Sequence, residues 1–406
     1  MRRYRDFCVN ELGVTTWNLP IVLGRFRPLE GHIHSYVSRS MAQVEWYRHD
    51  PDEALLATTR RALDFMLHQN GMLITGGCGD LECWHNSQTG TINCEETCPT
   101  VYIVKLLDSV LRLEGNSLYG DMMERTIFNA LFSAQSPDGR KIRYFTPFDG
   151  PRVYWGRDTY CCPIQYRRGI SQLPEWIYYR TRDGAAVNLY TASSARLELN
   201  KGEQLSIAQE TDYPNSGNVT LRIDPDKAGE FSVSLRIPRW CTNPAISVNG
   251  EAIRDSIQSG TFFTLRRTWK PGDHIQLRMP MPWRFVKGRQ AQTGKVAVMR
   301  GPLVFGVSRS HCKGLKTGAS LGLLTIDTSS IKGPVADQAV RPDGMGCKLQ
   351  GWQPGTWYDQ TTRDVELHLT ELPDPDSEGT YFHVPDPVAK DLVEDELFAE
   401  RKRGHH

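Results

Sequence analysis

Two short stretches place sulfur at the start of a helix: Glu96-Thr97-Cys98-Pro99 and Cys161-Cys162-Pro163. A residue before proline is held extended, and proline suits a helix opening because the N–H it lacks would go unpaired there. This reading puts Cys98 and Cys162 at N-cap positions, where the partial positive charge of the helix N-terminus favours thiolate over thiol. The two helix starts together offer three thiolates and a carboxylate: Glu96, Cys98, Cys161 and Cys162. Such a donor set suits Zn2+ in near-tetrahedral coordination. The spacing is not that of a zinc finger. Taken singly, the residues have plainer readings: Cys98 as a small buried hydrophobe, Glu96 as a solvated charge at a helix start.

Upstream lies the glycine-rich loop Thr75-Gly76-Gly77-Cys78-Gly79-Asp80-Leu81-Glu82-Cys83-Trp84-His85-Asn86. It lacks the Lys-Ser/Thr ending of a phosphate loop. Glu82 beside Trp84 is a candidate general acid, since a carboxyl against an aromatic wall has a raised pKa; the alternative is a surface glutamate. Cys78, Cys83 and Cys94 read as core or loop packing, with a disulfide or extra ligation as the other options.

The elements that must position these groups fall into two periodicities. Up to about residue 180 the apolar residues recur at helical spacing. Asp50-Pro51-Asp52-Glu53 predicts a helix start with Asp50 as N-cap, and Gly71 its end. Further helices are expected over about Pro99–Leu113, after Asn116, and over about Pro163–Leu173. The Pro99–Leu113 helix is apolar nearly all round, so both faces need cover, and an isolated chain would leave one side exposed. After about 185 the period becomes two, as in Val219, Leu221 and Ile223 or Phe231, Val233, Leu235 and Ile237, the pattern of half-buried antiparallel strands. Asn249-Gly250 is a type I′ hairpin signal. The expected architecture is multidomain, α then β. Residues 1–182 form a helical domain, 183–290 a β-sandwich, 291–372 a second β-sandwich or extension, and 373–406 a solvated, mobile tail.

Composition excludes several classes. The 406 residues carry a net charge of +1, which argues against a nucleic-acid or anionic-membrane binder. Ten per cent aromatics argue against disorder. No apolar run approaches a membrane span, and no apolar segment follows the basic start, so a cytoplasmic location is expected. Ten cysteines, five of them within 78–98 or at 161, then suit metal or catalysis.

The glycine-rich loop before Glu82, then Glu96-Thr97-Cys98, Cys161-Cys162-Pro163 and Val187-Asn188-Leu189-Tyr190 resemble glycoside hydrolase family 127, the β-L-arabinofuranosidase-like proteins. Gly31-His32, Tyr119-Gly120-Asp121 with Glu124-Arg125 and Asn129, Leu235-Arg236-Ile237-Pro238, Val248-Asn249-Gly250 and Arg300-Gly301-Pro302-Leu303 extend the resemblance over about residues 25–310. It implies an (α/α)6 barrel followed by β-sandwich domains, here a partial barrel, since most of the family's twelve helices precede the stretch resembling Gly31-His32. It also implies a retaining hydrolase of glycosides or oligosaccharides that releases a terminal β-L-arabinofuranose-like sugar. Cys161 would be the nucleophile, with Cys162, Cys98 and Glu96 completing a zinc shell. Glu82 would be the acid/base, with Asp80 the competing position. His32 resembles a sugar-contacting histidine, and Tyr144 or Tyr154 fills the role of a tyrosine near the nucleophile. Trp84, His85 and Trp155 are further sugar-contact candidates, with core or loop packing as the alternative for each. The shortened barrel implies a fragment, completion by a partner or further copy, or an inactive remnant. The rival from another class is a non-catalytic carbohydrate-binding or interaction protein with a structural zinc.

Overall fold

The computed structural model describes residue 29 and residues 31–91, 93–156, 160–315, 320–355 and 363–398. Among the described residues five α-helices come first: α1 (Ile33–His49), α2 (Ala57–His68), α3 (Thr97–Glu114), α4 (Ser117–Thr126) and α5 (Cys161–Gln172). The predicted start at Asp50 lies elsewhere. Asp50 closes α1, and Asp52 caps the 3-10 turn Glu53–Leu56 that leads into α2, its carboxylate accepting from the Ala54 amide. Aspartate caps whichever turn places an N–H above it, and here the chain had not yet left α1 at Asp50.

Helix α3 sits at the centre of the helical layer. Val101, Ile103, Val104, Leu106 and Leu107 are all fully buried, and α1, α4 and α5 pack around it. The expected exposed side is therefore absent. Gly169 on α5 explains how closely one neighbour approaches: a Cβ there would lie 2.8 Å from Val101 Cγ1. That approach draws the starts of α3 and α5 together. Gly115, with φ +67°, ends α3 in the left-handed conformation that glycine adopts without strain.

The strands form two packed sheets and then a closed one. A four-stranded sheet runs in the order Tyr178–Thr181, Gly184–Val187, Gly229–Ile237, Thr261–Trp269. It faces a six-stranded sheet across a core that includes Val219, Leu221, Ile223, Val233, Leu235 and Leu277. This is the sandwich that the period-two pattern predicts. The hairpin at Asn249-Gly250 has both residues at positive φ, 52° and 85°, and pairs Val248 with Glu251.

The strands from Trp283 onward do not make a second sandwich. Lys295–Arg300 pairs with Trp283–Lys287 along one edge and, along the other, with Leu303–Val307 and Tyr381–His383 in turn. The path from Leu303–Val307 through Arg363–Glu371, Met345–Gln353 and Thr325–Ile326 to Tyr381–His383 therefore returns on itself as a barrel. Strand alternation is the same whether a sheet covers another or closes on itself, so the sequence pattern does not separate the two.

Nor is the stretch 373–398 a solvated tail. Leu392–Val393 pairs with Phe285 and Val286, and Leu397 enters the helical core. Asp395 and Glu396 read as solvent charges in sequence but pair with Arg125, which is buried, and Glu396 also meets Arg284 at 2.7 Å. Residues 399–406 lie outside the described ones. Burial opposes ionisation of Glu396, yet Arg125 and Arg284 hold its carboxyl down to about 2. A depressed carboxylate contributes stability that is present above its unfolded pKa and lost as pH falls through the folded one. Stability should therefore drop as pH falls from about 4.3 toward 2, and Glu396→Gln should flatten that limb in thermal melts taken across acid pH.

Helix α4 joins the three parts. Arg236, from the sandwich, is fully buried and meets Asp121 and Glu124 of α4, the latter at 2.7 Å. Tyr213 and Trp240 also donate to Glu124, at 2.6 and 3.3 Å. After Thr126 the helix widens into a π turn, Ile127–Leu131, where Asn129 donates to the Pro302 carbonyl and accepts from the Val304 amide of the barrel. Gly120 allows the contact, since a Cβ there would lie 2.2 Å from Asn188 Oδ1 and 2.6 Å from Arg236 Cδ. Arg236→Ala should destabilise the chain by roughly 3–5 kcal/mol in denaturant unfolding, because two carboxylates lose their buried partner.

Candidate active site

The loop before α3 is pinned to the start of α1. The Glu82 carbonyl accepts from the Ile33 amide at 2.9 Å. Asp80 and Cys83 exchange backbone hydrogen bonds at 3.0 and 3.1 Å, and the two residues between them, Leu81 and Glu82, have φ of 48° and 64°. Two positive-φ residues in a two-residue turn are the type I′ signature, here without glycine. Such strain in non-glycine residues collects at functional positions. Gly79 permits the close approach to α1, for a Cβ there would lie 2.2 Å from Ile33 Cδ1.

His32 caps α1, and its Nδ1 faces the Ser35 amide at 3.4 Å. With Nδ1 accepting, the proton sits on Nε2. That atom lies 3.3 Å from Glu82 Oε2 and 3.4 Å from Glu96 Oε2. The Tyr144 hydroxyl donates to the other oxygen of Glu82. Tyr144 is held in place by its backbone carbonyl, which accepts from the Thr97 amide at 3.0 Å, next to Glu96. Its ring stacks on Tyr160, with centroids 5.7 Å apart and planes 6° apart, and Trp155 packs at 5.3 Å.

The sulfur atoms gather at the same place. Cys98 Sγ is 3.4 Å from Cys162 Sγ, and Cys162 Sγ is 3.7 Å from Glu96 Oε1. Donor atoms of Glu96, Cys98, Cys161 and Cys162 all lie within 4.8 Å of one another. Three of these residues are buried and Cys161 is exposed. The N-cap positions belong to Glu96 and Tyr160, so Cys98, Cys161 and Cys162 stand in the first turns of α3 and α5. The prolines occupy the third helical position rather than the first, where their missing N–H is still of no consequence.

The four residues fit a divalent cation. A tetrahedral zinc with Zn–S of about 2.3 Å needs sulfurs about 3.8 Å apart, which this cluster meets with small shifts. Glu96 Oε2 is buried without a hydrogen bond among the described residues, and His32 Nε2 faces it. Burial pushes the Glu96 carboxyl up to about 7, against the pull of His32. Burial and the Cys162 charge push Cys161 up to about 11, and the contact with Cys162 together with burial raises Cys98 far more. Glu96, Cys98 and Cys161 resist ionising together, and a cation among them would stabilise their anions.

Several expectations need correction. Trp84 is fully buried, edge-on to Tyr36 and Phe65 at 5.5 and 5.6 Å, and belongs to the helical core rather than to a sugar site. Trp84 is thus no aromatic wall for Glu82. The His32 hydrogen bond lowers its pKa, burial opposes that, and Tyr144 adds to it. His32 moves the other way: burial would lower it, but the hydrogen bond to Glu82 and the charge of Glu96 raise it. Of the two tyrosines, Tyr144 reaches the carboxylates. Tyr154 lies under the Arg143 guanidinium at 4.2 Å, with its hydroxyl 3.5 Å from the Gln135 carbonyl. Glu82 rather than Asp80 joins the group with His32 and Glu96. Cys78, Cys83 and Cys94 are buried, and among the described residues no cysteine is in a disulfide. Tyr160 escaped the sequence reading; the signal was an aromatic residue directly before Cys161.

Comparison with known proteins follows the same lines. Residues 30–175 match the catalytic domain, and residues 184–281 the middle domain, of β-L-arabinofuranosidases of glycoside hydrolase family 127. The chain belongs to glycoside hydrolase family 127. It is 28% identical over 286 residues to a non-reducing end β-L-arabinofuranosidase of Bifidobacterium longum subsp. longum, covering 63% of this chain and 42% of that protein. A family 127 β-L-arabinofuranosidase from Geobacillus stearothermophilus T6 superposes with a TM-score of 0.77 at 26% identity, over 87% of this chain and 60% of that one. A further family 127 β-arabinofuranosidase shares the fold, with a TM-score of 0.77 at 24% identity over 87% of this chain and 60% of that one. The family 127 chain described here therefore spans less than half the length of the Bifidobacterium relative. Among its described residues no helix is long and apolar enough to cross a membrane.

Proposed function

We propose that this family 127 protein is a retaining glycoside hydrolase that releases a terminal β-L-arabinofuranose-like sugar, with Cys161 as nucleophile and Glu82 as acid/base. The five helices are read as part of an (α/α)6 barrel. The observation that carries the proposal is the exposure of a single sulfur, Cys161, in a donor set otherwise buried, next to a carboxylate held by His32 and Tyr144. A structural zinc fills its four positions with protein donors, whereas a catalytic one leaves a position for substrate; an exposed donor is one that a substrate can reach, which favours the catalytic reading. Glu96, Cys98, Cys161 and Cys162 would hold zinc, which when bound keeps sulfur deprotonated and makes it a competent leaving group.

The residues then divide the work as two carboxylates do in other retaining glycosidases. The Cys161 sulfur attacks the anomeric carbon, a C–S bond forms, and the glycosidic C–O bond breaks. Glu82 gives a proton to the departing oxygen. The His32–Glu82 pair holds that proton between them, because His32 is raised and Glu82 lowered by the same hydrogen bond. In the second step Glu82 takes a proton from water, which attacks the same carbon and breaks the C–S bond, so configuration is retained. His32 also orients Glu82 relative to Glu96.

The test is hydrolysis of 4-nitrophenyl β-L-arabinofuranoside by the full chain, with bound metal counted in the same sample and the product anomer read by NMR. Turnover with retention and one zinc per chain is expected. One bound zinc with no turnover across a broad aryl-glycoside panel would return the protein to the structural-zinc reading. Chelation should lower the thermal midpoint and abolish turnover together, since the metal joins two helix starts.

A further inference from the structure

A second feature adjoins this site. A cleft of about 670 Å³ opens between the 135–142 segment, Trp155 and α5. Its size is that of small-molecule sites, ~300–1,000 Å³. Trp155 belongs to both places: it lines the cleft, and its ring packs on Tyr144 and Tyr160 at 5.3 and 5.7 Å. Tyr144 in turn bonds to Glu82. The indole is 47% exposed, so its face is open to a ligand in the cleft. Pro163 and Ile142 continue the apolar wall.

The polar lining has one sign. Arg140, Lys141 and Arg167 line the cleft and are exposed. Among the described residues none forms an ion pair, and none of those that line the cleft is a carboxylate. The acidic neighbour, Asp138, has its carboxylate turned onto the Ser136 hydroxyl at 2.6 Å and the Arg140 amide at 3.1 Å. A chain with net charge +1 has no general cationic surplus to explain three cations around one aromatic face, with only the exposed Asp138 acting on Arg140 and Lys141 among the described residues.

We infer that the cleft is a binding site for the rest of the glycan, on the leaving-group side of the scissile bond, and that it takes a sugar bearing a carboxylate. The indole would cover the apolar C–H face of a ring, while Arg140, Lys141 and Arg167 meet its carboxylate; Arg167 and Arg140 offer the fork that pairs with two carboxylate oxygens. The assignment to the leaving-group side rests on the hydrolase reading above. The assignment to an anionic sugar rests on the cleft alone.

The experiment measures binding of trigalacturonate and of neutral β-1,4-galactotriose to the full chain by titration calorimetry. The wild type should prefer the uronide by about tenfold or more, and added salt should erase the difference. The triple variant Arg140→Ala/Lys141→Ala/Arg167→Ala should lose the preference while hydrolysing the aryl arabinofuranoside at the wild-type rate, since that substrate has no sugar to place in the cleft. Trp155→Ala should weaken both ligands alike. Equal affinity for the two trisaccharides, or an unchanged preference in the triple variant, overturns the inference. A preserved preference in a chain that hydrolyses no aryl glycoside strikes the hydrolase reading and leaves the anionic-sugar cleft standing.

Discussion

Cys161→Ala is expected to hold its fold and its metal while losing hydrolysis of an aryl β-L-arabinofuranoside by roughly 10⁴-fold or more. Both halves follow from where the residue sits. Cys161 is the exposed member of its cluster, so its sulfur supports little packing, and surface changes of this kind stay within about 0.5 kcal/mol. Glu96, Cys98 and Cys162 remain, and three protein donors suffice for a zinc that keeps an open position. The proposed nucleophile would have no substitute nearby, because Cys98 and Cys162 are buried. Cys98→Ala is the control. It deletes a buried donor, and metal content and thermal midpoint should fall together with activity. A Cys161→Ala chain that still turns over substrate at a tenth of the wild-type rate would remove Cys161 from the chemistry.

Glu82→Gln should lower turnover of alkyl glycosides by roughly 10²–10⁴-fold and spare the first step on aryl glycosides with acidic leaving groups. An acidic phenol departs without a proton, so bond cleavage no longer needs Glu82. The second step still does, because water has lost its base. The variant should therefore show a burst of phenol equal to the enzyme present, followed by slow turnover. pH dependence separates catalysis from mere support. The limb of kcat/KM that falls with rising pH reports loss of the proton shared by His32 and Glu82. Tyr144 donates to the ionised carboxylate and so holds its pKa down. Tyr144→Phe removes that donor, the carboxylate binds its proton more tightly, and the limb should move to higher pH. A limb that stays in place would mean that the pair does not carry the catalytic proton.

Much of this site was legible without coordinates, and the limits of that reading are physical. Proline after cysteine marked two helix starts, and thiols with a carboxylate marked a soft-cation donor set, because those inferences depend on neighbours in the chain. Trp84 shows where such reasoning ends. Its adjacency to Glu82 was real, but the strained turn at Leu81 and Glu82 sends the carboxylate toward His32 while Trp84 enters the core between Tyr36 and Phe65. The motif residues Asp121, Glu124 and Arg236 likewise stood out as polar positions, and their partners across 112 and 115 residues make them the joint between helices and sandwich rather than part of the site.

The amino-acid order by itself determined which donors the protein owns, which stretches are helical and where its periodicity turns from helix to strand, since each of these is settled within one or two turns of backbone; the capping residues it placed one turn or less away. Only the tertiary structure decided that Cys98 and Cys162, 64 residues apart, would lie 3.4 Å from each other, that strands after Trp283 would close into a barrel, and that the acidic end would lie against Arg125. Those outcomes depend on distances between separate elements, set by packing such as Gly169 against Val101, and nothing local encodes them.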